Sequence, residues 1–493
     1  MVETAVASSP PLAEAEESAA SLAARIRRRE ISALEAVSAA LARIDALDGA
    51  LHAFCTRCDD VALAQAAALD QRLSAGDPAG PLAGVPVAVK DLIDTKGLRT
   101  TYGSPLYADH VPEEDDVVVE RLVAAGAIVV GKTNTSEFGY GAVGVNPLFP
   151  PTRNPWNLSL TSGGSSAGTA AAVASGMVPF GLGSDGGGSV RIPASLCGIV
   201  GVKPSFGRTP LYPGCRDPRF PGASGWESLE HIGPLARTVE DAALALSVIT
   251  GPSPKDRHSL PVEISEWRVP PPETMRGLRI AFSPDLGFAA IDPEVRTIAE
   301  GAARRFERDL GAIVEFAHPK VGDTEGAFEA LVALDTDRKG LRGLAHTRGV
   351  AFEGPLGALL EKSWTADAFT DAILARKTIF NVMWRFMERY DFLMTPATAV
   401  AAFPAEWAAP PFIDGRPAAP SAWTPFSTIA NLTGQPAASV PAGWTRAGLP
   451  VGLQVVGRRL DDLGVLAACG ALEAVQPWAS RRPNMSRSLR HET

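Results

Sequence analysis

Two periodicities organise the chain. Over 21–29, 32–47 and 59–73 apolar residues recur every three or four positions, the pattern of helices that bury one face. The second of these opens on Ser32-Ala33-Leu34-Glu35, a capping box in which the serine hydroxyl and the glutamate carboxylate each satisfy a free amide. After a turn-rich stretch at 74–80 the pattern changes. Val85-Pro86-Val87-Ala88-Val89 is a continuous, largely β-branched run that ends in Lys90-Asp91. It reads as a buried strand delivering a lysine at its carboxyl end. A helix is expected at 117–125 and a short buried strand at 127–130.

Farther along, an alanine-rich helix is expected at 167–175, with others at 239–250, 294–309 and 463–475. Residues 279–282 and 392–396 read as strands, 325–390 as mostly helical, and 431–442 with 449–456 as a closing pair of segments. Residues 204–230, rich in Pro, Gly and Arg, are expected to form a loop over the site; 251–276 is the best internal linker candidate and 397–420 a further loop. The alternation predicts an α/β fold, a mixed central β-sheet flanked by helices on both faces. No internal repeat is visible.

At 493 residues a prior of roughly 150 residues per domain gives two or three, although α/β enzymes often exceed it as one unit. The expected organisation is one domain over 21–480 with a helical substrate-side portion around 280–390, a disordered stretch at 1–20 and a tail at 481–493. The net charge is −9 and the only basic run is Arg27-Arg28-Arg29, which argues against direct nucleic-acid binding. No apolar run reaches the roughly 18 residues of a membrane span. The first residues have neither the basic nor the apolar region of a signal peptide, and five cysteines are too few and odd in number for a disulfide framework, so the expected location is the cytoplasm. Cys55 and Cys58 form a CxxC without the second pair that a zinc ribbon needs. No cluster has metal-ligand spacing, and neither a metal nor an organic cofactor is expected.

The candidate chemistry lies in 163–193, which holds two serine-glycine turns: Gly163-Gly164-Ser165-Ser166 and, 24 residues after Ser165, Gly186-Gly187-Gly188-Ser189. Consecutive glycines let backbone amides crowd around one point, as a developing oxyanion requires. Three nearby motifs carry other meanings that their surroundings reject. Residues 126–133, GAIVVGKT, match a phosphate-binding loop, but their four spacer residues are themselves the expected strand. Residues 181–186 match GxGxxG, yet Pro193 follows within seven residues, where a dinucleotide fold needs a long helix. Residues 164–168 match the GxSxG elbow, but the preceding 157–162 is polar and turn-like. Of the later histidines only His231 and His346 are candidates for that elbow's base. A serine without a histidine needs another base, and lysine serves where burial removes its proton; Lys90, at the end of an apolar strand, has that environment.

Taken together, Lys90 after GVPVAVKD, Gly163-Gly164-Ser165-Ser166-Ala167-Gly168 and Asp185-Gly186-Gly187-Gly188-Ser189-Val190-Arg191 resemble the amidase signature family. The resemblance runs from about residue 21 to 478 and includes Gly131-Lys132-Thr133-Asn134, Asn154-Pro155-Trp156 and Gly452-Leu453-Gln454. It implies a Ser–cis-Ser–Lys triad with Ser189 as nucleophile, Ser165 as bridging serine after a cis peptide bond, and Lys90 as base. The amides of Gly186, Gly187, Gly188 and Ser189 would form the oxyanion hole. Ser166, Ser184, Asp185 and Arg191 would support it, with Asp185 and Arg191 paired to brace the turn.

The implied activity is hydrolysis of a small-molecule amide through a serine acyl-enzyme, by a monomer or homodimer. Apolar or aryl amides are the expected substrates, with carbamates (urethanes) and esters accessible by the same route. The alternative is the glutaminase component of a tRNA-dependent amidotransferase complex. Two departures bear on this. Malonamidase-like members carry an arginine three residues after the nucleophile, where this chain has Ile192, so a small acidic amide is not expected. Gly186 stands where the family typically has a bulkier residue, which predicts a more open or mobile oxyanion turn. Phe138, Tyr140, Leu211, Tyr212, Trp226 and Phe426 are candidates to line an apolar acyl pocket.

Overall fold

Ser18 caps the first helix, Ala19–Arg27, by accepting from the Ser21 amide, and Ser32 with Glu35 forms the expected reciprocal box at the start of Ala33–Leu51. A third helix spans Asp59–Ala75. These elements belong to a computed structural model that describes residues 17–485. Of the disorder expected at 1–20, residues 1–16 lie outside the described residues, as does 486–493 of the expected tail; Ala19 and Ala20 are already helical.

Among the described residues eleven strands form one sheet. From edge to edge they are Phe54–Arg57, Ile128–Thr133, Pro86–Lys90, Phe180–Ser184, Ile232–Ala236, Val200–Lys203, Ala437–Trp444, Pro450–Gly457, Phe392–Pro396, Arg279–Phe282 and Ile313–Phe316. Ile128–Thr133, Pro86–Lys90 and Phe180–Ser184 run parallel, as do Phe392–Pro396, Arg279–Phe282 and Ile313–Phe316. The strands between these groups are antiparallel. The sheet is therefore mixed, as the sequence predicts, and the strands before and after 251–276 share it.

Alternation along the strands divides the core between the two faces. Ala88, Ile128 and Val130 pack with Ala33–Leu51, Asp59–Ala75 and the wholly buried helix Ala167–Ala174. Val87, Val89 and Val129 face the opposite layer, with Val118, Val119 and Leu122 of Val117–Ala124.

Phe180–Ser184 places the site. Its sequence, Phe-Gly-Leu-Gly-Ser, carries no β-branched residue, and sequence reasoning left it unassigned. It forms because Ala167–Ala174 lies directly on it: a Cβ at Gly183 would stand 2.6 Å from Ser166 Oγ. Val89 pairs with Leu182 in parallel register, so Lys90 and Ser184 emerge together at the carboxyl edge, where open α/β sheets bind ligands.

Other expectations change in detail. Asn157–Thr161 is a strand, paired with Arg153–Asn154, where a turn is expected. Ile232–Ala236, Val200–Lys203 and the outermost Ile313–Phe316 are further strands the sequence did not announce. Residues 325–390 resolve into Glu325–Asp335, Arg338–Arg348, Gly354–Glu361 and Ala366–Met387. Residues 431–442 divide between the helix Thr428–Thr433 and the strand Ala437–Trp444.

Candidate active site

Lys90 is wholly buried, and its amine sits between the first serine turn and Ser184. Nζ donates to Ser165 Oγ at 2.7 Å and lies 3.0 Å from Ser184 Oγ and 3.4 Å from the Ser184 carbonyl. Burial pushes the amine below the usual lysine range, against the pull of the nearby Glu230 and Asp185 carboxylates. The Gly164–Ser165 peptide is cis. Ser166 joins the two turns: its amide donates to the Ser189 carbonyl at 3.2 Å and its hydroxyl to the Ser184 carbonyl at 3.2 Å.

The second turn is wrapped around Asp185. Arg191 grips that carboxylate with Nε at 3.0 Å and Nη2 at 2.9 Å. Its remaining donors go to the Ser427 carbonyl (2.9 Å), Gln454 Oε1 (2.6 Å) and Asn431 Oδ1 (2.6 Å). All five guanidinium hydrogens thus serve the protein, as the bracing role requires. Burial alone would raise the Asp185 carboxyl, but Arg191, with Lys203 and Asn431, holds it well below the usual carboxylate range. Asp185 in turn accepts the Gly188 amide at 2.8 Å and the Val190 amide at 3.2 Å.

That arrangement corrects one assignment. The Gly188 N–H is committed to Asp185, so the amides of Gly186, Gly187 and Ser189 are the turn's remaining candidate oxyanion donors. Gly188 is required for its backbone instead, with φ +122° and Ser427 crowding the place of a Cβ at 2.6 Å.

Ser165, Ser184, Gly186 and Ser189 line one cavity with Leu92, Phe138, Leu211 and Trp226. Trp226 and Phe138 both adopt left-handed backbone, φ +65° and +47°, a strained conformation for bulky residues. The Trp226 indole donates to the Phe138 carbonyl at 3.2 Å. Tyr140 packs on that indole at 4.7 Å between ring centroids and Phe328 at 6.1 Å. Phe328 also stands over Gly187, 2.5 Å from where a Cβ would lie. Of the expected pocket residues, Phe138, Leu211 and Trp226 line the cavity and Tyr140 backs it. Tyr212 instead lies under Lys255, and the carbonyl of the buried Phe426 accepts from Gln454.

The expected openness at Gly186 is also overturned. A Cβ there would come within 2.7 Å of both Glu230 Oε2 and Trp226 Cε3, so side chains from residues 226–230 fill the space. Sequence reasoning missed Glu230. Burial raises its carboxyl above the usual range, against Lys90, Ser184 and Arg216. No local signal marks it: it precedes the strand Ile232–Ala236, itself unannounced by the sequence, whose first residue pairs with Ser184.

The rejected motifs stay rejected. Gly131 of the phosphate-loop match sits inside a strand, and the helix after the GxGxxG match has only seven residues. The elbow match does follow a strand, but its central serine, Ser166, donates to the Ser184 carbonyl at 3.2 Å, with no histidine beside it among the described residues. His231 turns Nδ1 to the Leu229 carbonyl at 2.7 Å, and His346 is exposed.

Residues 35–466 match the sequence model of the family described as Amidase. The chain belongs to the amidase family. It is 38% identical to the A component of the glutamyl-tRNA(Gln) amidotransferase of Moorella thermoacetica, covering 93% of this chain and 96% of that protein. It is 36% identical to an acylamidase of Rhodococcus erythropolis, covering 94% and 97%. A bacterial aryl acylamidase described as an amidase signature enzyme superimposes with a TM-score of 0.86 at 30% identity, covering 95% of this chain and 99% of that one. The chain is accordingly an amide-cleaving hydrolase with the family's α/β fold. No described helix is long and apolar enough to cross a membrane.

Proposed function

We propose that this amidase cleaves apolar or aryl carboxylic amides through an acyl-enzyme on Ser189. The observation that carries the reading is the 2.7 Å contact from the buried Lys90 amine to Ser165 Oγ, in a cavity that Ser165 shares with Ser189. Neutral Lys90 accepts the Ser165 proton as Ser165 takes one from Ser189, and Ser189 Oγ bonds to the substrate carbonyl carbon. Amides of the 186–189 turn receive the oxyanion, each such donor being worth about 3 kcal/mol of barrier. The relay returns the proton to the leaving amine, and water hydrolyses the acyl-enzyme. Carbamates and esters share this route.

The substrate class follows from the lining. Leu92, Ile93, Phe138, Leu211, Trp226 and Ile232 are apolar, the acids are Asp116 and Glu230, and no arginine or lysine is among the lining residues. An apolar acyl group fits such a cavity; the α-carboxylate of glutamine would find no cation there. The likeness to an amidotransferase component favours the glutaminase reading, and the lining weighs against it. All five cysteines are free, in keeping with a reducing cytoplasm, and we take residues 21–480 as one catalytic domain acting as a monomer or homodimer.

The test is nitroaniline release from a short-chain nitroanilide. Turnover by the wild type that vanishes in Ser189→Ala is expected. Turnover retained by Ser189→Ala contradicts the reading, and ammonia release from glutamine without nitroanilide turnover transfers it to the glutaminase.

A further inference from the structure

The relay leaves one group at the site without a task. Glu230 lines the same cavity as Ser184 and Gly186, close enough to Ser184 for its carboxyl to be held by that hydroxyl, and Ser184 Oγ is itself 3.0 Å from Lys90 Nζ. Lys90, Ser184 and Glu230 thus form a second chain from the amine, beside the contact to Ser165. Gly186 leaves room for the carboxyl: a Cβ there would lie 2.7 Å from Oε2.

The groups facing Glu230 come from several segments. Lys90 ends its strand, Asp185 precedes the second turn, Arg216 and Cys215 belong to the short helix Gly214–Arg216, and Tyr140 packs on Trp226. Asp185 is saturated by Arg191. Arg216 is engaged by Asp256 Oδ1 at 2.8 Å and by the Glu227 carbonyl at 2.7 Å. Lys90 is therefore the cation whose charge Glu230 balances.

We propose that Glu230 is a positioning residue of the relay: through Ser184 it holds the Lys90 amine toward Ser165, and its charge sets the pH at which Lys90 becomes a proton acceptor. This rests on the reading of Lys90 as the base. A carboxylate near an ammonium favours the charged form, so removing the charge while keeping the shape makes Lys90 neutral at lower pH.

The test is kcat/KM against pH for nitroanilide hydrolysis by wild type, Glu230→Gln and Glu230→Asp. In Glu230→Gln the acidic limb is expected to move to lower pH by about one unit, with kcat reduced and KM little changed. Glu230→Asp, which keeps the charge, is expected to return the limb toward the wild-type position. A limb that stays in place in Glu230→Gln, whatever the uniform loss of rate, overturns the proposal, as does a limb that remains displaced in Glu230→Asp. Should Glu230→Gln lack a cooperative melt, Glu230→Met carries the same test, because it too removes the charge; an unmoved limb there again overturns the proposal. Turnover surviving in Ser189→Ala overturns the relay and this inference together, whereas an unmoved limb with Ser189→Ala inactive overturns this inference alone.

Discussion

Replacing Arg191 by methionine separates the stability of the fold from the shape of the oxyanion turn. The guanidinium is 1% exposed against an Asp185 carboxylate at 0%, and Met fills a similar volume without a charge. Asp185 loses two donors while the Gly188, Val190 and Asn431 hydrogens remain. Removing one partner of a buried ion pair costs about 3–5 kcal/mol. Unfolding entropy of about 2.1 cal/mol/K per residue over 493 residues makes 1 kcal/mol worth about one degree, so Tm should fall by about 3–5 °C. The rate should fall much further, because Asp185 fixes the turn through Gly188 and Val190, and misplacing one oxyanion donor costs about 10²–10³ in kcat.

The sign of the pH dependence follows from the paired carboxyl. Its pKa is depressed in the folded wild type, so its stabilisation is present above the ordinary Asp range of about 4 and lost as pH falls below it. The Tm deficit of Arg191→Met should therefore narrow toward acid. Calorimetry and nitroanilide kinetics on the same preparations check both quantities. A variant that loses stability yet keeps kcat within about threefold, far short of the loss of a donor, would refute the bracing argument; an unchanged Tm at neutral pH would refute the uncompensated charge.

Two further outcomes follow from the site. Lys90→Ala should abolish measurable turnover at neutral pH, a loss of about 10²–10⁴ for a missing general base, while retaining a cooperative melt; full activity with an unchanged melt would refute the relay. Since Lys90 must be neutral to accept a proton, wild-type kcat/KM should rise with pH through the amine's lowered range. Trp226→Ala should open the cavity, raising the preference for long-chain over acetyl anilides by about tenfold; a preference that does not move would place the acyl group elsewhere.

Much of this was legible in the chain because local chemistry fixed it. The capping box at Ser32–Glu35 needs only its own residues, and the apolar run before Lys90 states both the strand and the burial of its amine. The pairing of Asp185 with Arg191 spans a single turn. Phe180–Ser184 was not legible, because its glycines are chosen for the helix lying across it and carry no strand propensity. Glu230 and the packing of Trp226 were missed for the same reason at longer range. They fill the space at Gly186 from a loop 40 to 44 residues later in the chain, so a missing side chain read as openness is in fact occupied. The edge strand Ile313–Phe316, with Ile313 and Phe316 exposed, lacks the buried run that marks interior strands.

The most direct test of the central claim is which oxygen becomes covalently attached. Wild type should be treated with an alkyl fluorophosphonate, a serine-directed acylation mimic, and its peptides mapped by mass spectrometry. A single adduct on Ser189, lost in Lys90→Ala, is the predicted result. An adduct on Ser165, or labelling of Ser189 that persists undiminished without Lys90, would contradict the account.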